Sequence, residues 1–141
     1  MGVLTDIVVA DDTEAPAIAA AAVPSERWPG IDMEGVDEFM LARLWAELSH
    51  QASGPELETA FTALHAASEE GPWVSRVPKP FVRLLAQSHD TAAASAARAL
   101  LAHAEFETWE LHEVREVVDG LRALAREAVR TGKSLILWVC L

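Results

Sequence analysis

Ser134-Leu-Ile-Leu-Trp-Val-Cys-Leu141 carries no charge on either face, and it follows a helix-spaced segment that stops at Gly132. Strands that alternate polar and apolar residues have one wet face, so this one expects cover on both. The segment before it places Leu111, Val114, Val118, Leu121, Ala125 and Ala128 three or four residues apart, the spacing of one buried helical stripe. Val117, Leu124 and Val129 widen that stripe. The spacing predicts a helix over 110–131, with Thr108 able to cap its start and Gly132 ending it, and then a strand over 134–141. Gly120 falls inside the helix at a cost of about 1 kcal/mol relative to alanine, so a continuous helix implies that another element presses close there. The alternative is a break at Asp119-Gly120.

A strand needs a partner for its backbone groups, and Val3 to Ala10 is the other strongly β-like stretch. A strand over 2–9 is expected to pair with the terminal one, and Asp6 is the single charge in the two. The fold class is therefore α+β, predominantly helical: a small sheet of the N- and C-terminal strands under about six helices, in one domain spanning 1–141.

The chain between them reads mostly as helix. A short Ala-rich helix over 13–22 takes Pro16 in its first turn, and the loop at 25–33 is tied down by Trp28. A longer helix starts at Glu34 or Gly35 and runs to His50, burying Val36, Phe39, Met40, Leu44 and Leu48. Ser53-Gly54-Pro55 breaks it, and Pro55 opens a peripheral helix with a Leu57, Phe61, Leu64 stripe that ends at Gly71. Trp73 to Val77 alternates briefly, reading as a third, edge strand or simply as extended chain. Pro80 starts another helix, and Asp90 caps one from Thr91 to about Ala104 with an alanine-lined face.

Composition narrows the function classes. Half of the 141 residues are hydrophobic, which argues against disorder, and no charge-free run approaches the ~18 residues of a membrane span. Ala15 to Ser25 is apolar, but it follows Asp11, Asp12 and Glu14 instead of a basic segment, so it does not read as a targeting signal. One cysteine, Cys140, suits a reducing cytoplasm. The formal net charge is −11, and residues 1–75 carry fourteen Asp and Glu against Arg27 and Arg43. That sign disfavours nucleic acid and anionic membranes, whose phosphates are met by Lys and Arg.

No motif of known chemistry is present, so catalytic residues are unknown and neither a cofactor nor a metal is expected. There is no nucleophile elbow and no phosphate-cradling glycine loop. Glu47 and His50, His103 and Glu107, and His112 and Glu116 have helical spacings that could serve a metal, but each is a two-residue match that a solvated helix face explains equally well. The densest acidic patch is Asp32, Glu34, Asp37 and Glu38, which complements a helix start. Trp28 and Trp73 sit beside Pro-Gly or Gly-Pro and become contact residues if exposed. These six are the candidate interaction residues. The favoured function is a non-catalytic interaction protein, of inhibitor, immunity or accessory type, with a basic partner. The alternative is a metabolite- or metal-binding domain or enzyme whose site gathers Asp32 to Glu38, His50 and the Trp73 loop. A homodimer, through the edge of the last strand or the alanine-lined helix, is a further expectation.

The Met-Gly start, the Val36 to Leu48 helix, and the ending from Leu124, in which a helix, Gly-Lys and Leu-Ile-Leu-Trp follow one another, resemble the YfbM-like group of uncharacterised bacterial proteins. The resemblance implies an α+β cytoplasmic domain and brings no activity.

Overall fold

A computed structural model describes residues 3–51 and 55–141; Gly2, where the first strand is expected to begin, and the Ser53-Gly54 break lie outside them. The two terminal segments pair. Strand β1 (Leu4–Ala10) runs antiparallel to β5 (Ser134–Cys140), in register from Leu4 opposite Cys140 to Ala10 opposite Ser134. Each still has a free edge of backbone donors and acceptors, and burying those unpaired costs more than forming another ladder. Strand β2 (Gly30–Asp32) closes the outer edge of β1, and β4 (Trp73–Arg76) closes that of β5. β3 (Thr62–Ala66) lies beyond β4, giving one antiparallel sheet in the order β2-β1-β5-β4-β3.

Both faces of the central pair are covered. Ile7, Val9, Leu135 and Leu137 point into a core built with α2 (Glu38–Ser49), α4 (Lys79–Gln87), α5 (Asp90–Leu100) and α6 (Leu111–Thr131). Val8, Ala10, Ile136 and Trp138 point the other way, under α1 (Ala15–Ala20). Burying each large aliphatic side chain is worth about 1.5–3 kcal/mol, so Leu135, Ile136 and Leu137 of the charge-free strand each contribute on that scale.

Helix α6 is continuous, and the reason lies at Gly120: a Cβ there would stand 2.7 Å from Cδ1 of Ile31 on β2. The helix ends at Gly132, whose left-handed φ of 69° lets it and Lys133 donate to the last carbonyls. The small face of α5, formed by Ala93, Ala96 and Ala97, is buried against α2 and α6.

Several local expectations are corrected. The helix expected from Pro55 to Gly71 is one turn, α3 (Pro55–Glu58), followed by β3. Leu57, Phe61 and Leu64 match helical spacing, but Leu57 and Phe61 enter the larger core while Leu64 packs on the α1 side of the sheet. Pairing with the open edge of β4 overrides local periodicity. For the same reason Trp73–Arg76 is an interior strand, not an edge. The loop at 25–33 contributes β2, and its extended path continues as Met33 and Gly35 donate to Thr5 and Val3. Helix α2 therefore starts later than Gly35, at Glu38, where the Asp37 carboxylate accepts from the Met40 N–H at 2.9 Å. Phe39, expected in the core, is 48% exposed. α5 stops at Leu100 instead of Ala104, and His89, not Asp90, precedes its first turn. Glu110, not Thr108, caps α6, with Glu113 closing back onto its N–H at 2.9 Å.

Candidate functional site

Strand register places the candidate residues. Asp32, Asp6, Trp138, Val74 and His65 form one row across all five strands, and the chain beyond that row makes one end of the sheet. Asp6, the charge between the terminal strands, is buried and accepts the Ser25 N–H at 2.8 Å, so it is part of the scaffold. The segment from Asp32 to Glu38 crosses this end toward β4, held where the Thr5 hydroxyl donates to the Val36 carbonyl at 2.6 Å. Glu34 is drawn into a tight turn as its N–H donates to Asp32 Oδ1 at 3.0 Å.

The six candidates separate into three places. Glu38 and Trp73 line one groove of about 520 Å³ with Ala63, Leu64, His65 and Ser75, between the start of α2 and the β3–β4 hairpin. Asp32 and Glu34 line another of about 390 Å³, with Trp109, Glu113 and Glu116 of the opposing segment. Asp37 stands between them but is engaged as the cap of α2. Trp28 is elsewhere: it packs on the α1 side of the sheet, its indole N–H donates to Glu14 at 3.3 Å, and the Arg27 guanidinium lies 5.0 Å from its ring. It is the loop anchor, not part of the acidic end.

Electrostatics single out Glu38. Burial pushes its carboxyl above the usual carboxylate range, and the neighbouring Asp37 and Glu58 push it further in the same direction. Glu105 and Asp12, shifted in the opposite direction, have cationic partners. Arg43 reaches Glu105 at 3.1 Å, and Asp12, pulled upward by burial, is held below the usual range by the Ser134 hydroxyl and by Arg76 at 2.7 Å. At the acidic end Leu4, Phe39 and Leu141 are also exposed, between 48% and 71%. Sequence reading missed all three as surface residues; Leu4 and Leu141 could have been found from their places at the tips of strands.

The site proposed to gather Asp32 to Glu38, His50 and Trp73 forms only in part. Glu38 shares a groove with Trp73, whereas His50 ends α2 in a left-handed turn and lines a separate groove with Glu47, His89 and Ser95. Glu47 meets His103 at 3.1 Å. Among the described residues, no three His, Cys, Asp or Glu side chains are grouped so as to hold a metal ion.

The fold and this end together define an α+β domain with a five-stranded antiparallel sheet and a two-groove acidic surface. Comparison with known protein families, curated proteins and solved structures finds no match. Among the described residues no helix is long and apolar enough to cross a membrane.

Proposed function

We propose that this is a non-catalytic interaction protein whose acidic sheet end receives a basic segment of another protein. The observation that carries the reading is Glu38, a carboxyl held against like charges at the lip of a groove walled by Trp73. A Lys or Arg seated there relieves the repulsion between Glu38, Asp37 and Glu58, and the Trp73 ring supplies apolar contact beside it. Asp32, Glu34, Glu113 and Glu116 extend the same sign of field and steer a basic partner toward the end of the sheet. The single cysteine favours a reducing compartment, and we place the protein in the cytoplasm, as its resemblance to the YfbM-like group also suggests. The homodimer loses both expected routes, because β5 is paired on both edges and the small face of α5 is buried within the chain.

The test is capture from native lysate on immobilised wild type, Glu38→Gln and Trp73→Ala in parallel, at low and high salt. A partner retained by wild type at low salt, released at high salt and retained weakly by both variants supports the reading. Equal retention by all three, or none by any, rejects it.

A further inference from the structure

At the opposite end of the sheet, where α6 passes into β5, a groove of about 320 Å³ runs between α4 and α6. This is within the range of about 300–1,000 Å³ typical of small-molecule sites. Its floor is apolar, made by Val77, Val82, Ala128 and Leu135, all buried, and Val129 stands on its rim 54% exposed. Its charged lining is wholly cationic: Lys79, Arg83 and Lys133. They include both lysines of a chain in which acidic residues outnumber basic ones two to one.

These cations are not consumed by the fold. Among the described residues none has a carboxylate within ion-pairing distance, although seven such pairs form elsewhere. The carboxylates that feel Lys79 and Lys133 at longer range are already engaged: Asp12 by Arg76, Glu127 by Arg130 at 2.6 Å, and Glu14 by Trp28. Helix electrostatics accounts for Lys133, which follows a helix C-terminus. It does not account for Lys79, the first residue of α4, where the helix dipole disfavours a cation. At the end of α6 the Ala128 and Val129 carbonyls are engaged by the Lys133 and Gly132 N–H groups.

We propose that this groove binds a small amphipathic anion, a carboxylate or phosphate on an apolar body, with the head between Lys79, Arg83 and Lys133 and the body along Val82 and Val129. The inference is independent of the acidic end. It is tested by calorimetric titration with octanoate and with phenyl phosphate, which separate the two head groups, and with neutral octanamide and inorganic phosphate as controls. Wild type is expected to bind at least one amphipathic anion, and the two controls at least tenfold more weakly. Lys79→Gln combined with Lys133→Gln, and separately Arg83→Gln, are expected to lose at least tenfold in affinity, with thermal melts showing that each variant remains folded. Binding by neither anion, equal binding of octanamide or of inorganic phosphate, or undiminished binding by the folded variants overturns the proposal.

Discussion

Gly120 on α6 and Ile31 on β2 meet so closely that a methyl group added at the glycine would lie 2.7 Å from Ile31 Cδ1. The contact explains why a helix of twenty-one residues carries a glycine near its middle. Replacing it sets a gain in helix propensity of about 1 kcal/mol against a clash. Ile31 is only partly buried and its Cδ1 can swing aside, so Gly120→Ala is expected within about 1 kcal/mol of wild type. Gly120→Leu forces the strand and helix apart and costs about 1–3 kcal/mol. Urea denaturation of the two variants checks the order.

Arg122 is 5% exposed, yet its donors are well supplied: Ser88 Oγ at 3.0 Å, Ser88 carbonyl at 2.8 Å, Asp90 at 2.9 Å and Asp119 at 3.2 Å. It ties the α4–α5 junction to α6. Arg122→Met keeps most of the packing but strips those partners, at an expected cost of about 1–3 kcal/mol. Both carboxylates are left in water, which keeps the loss below that of an uncompensated buried charge. Asp90→Asn leaves the Ser88 contacts in place and is expected to change stability much less, by the same denaturation measurement.

Strand β5 joins the two halves of the sheet, so deletion of 134–141 removes the partner of both β1 and β4. The truncated chain is expected to lose cooperative thermal unfolding. A milder probe, Leu137→Ala, creates a cavity where the residue is 2% exposed and should cost about 2–5 kcal/mol. An unchanged melt for the truncated chain contradicts this topology.

Glu38 gives a pH signature. A carboxyl whose folded pKa is raised binds its proton more tightly in the folded state, so the folded state is penalised once the pH rises through the ordinary carboxylate range. Glu38→Gln is therefore expected to be more stable than wild type at neutral pH, by on the order of 0.5 kcal/mol, with the difference vanishing in acid. Melting temperatures of the pair from acid to neutral pH measure it.

The opposite sign applies to Glu105. Its carboxyl is held below the usual range first by a backbone hydrogen bond within the residue and then by Arg43, so it contributes stability above that range, lost as the pH falls through the lowered pKa. Glu105→Gln should accordingly be less stable at neutral pH, by about 0.2–1 kcal/mol, and converge with wild type in acid.

What the sequence determined by itself was whatever depends on local periodicity and charge. The charge-free run at 135–141 demanded cover on both faces, the three-four spacing before it demanded one long helix, and two β-like termini demanded each other. Gly120 even announced a close contact, because an internal glycine wastes helix propensity unless something occupies the space of its side chain. Only the tertiary structure decided β2 and β3, whose residues carry weak or helix-like signals and become strands because β1 and β4 offer open backbone edges. It also decided the surface. Asp32, Glu34 and Glu38 were legible as an acidic patch, but their division between two grooves, and the sharing of one groove by Glu38 and Trp73, thirty-five positions apart, follow from strand order. Lys79, Arg83 and Lys133 gave no signal at all, since side chains fifty residues apart share a groove only when α4 lies beside α6.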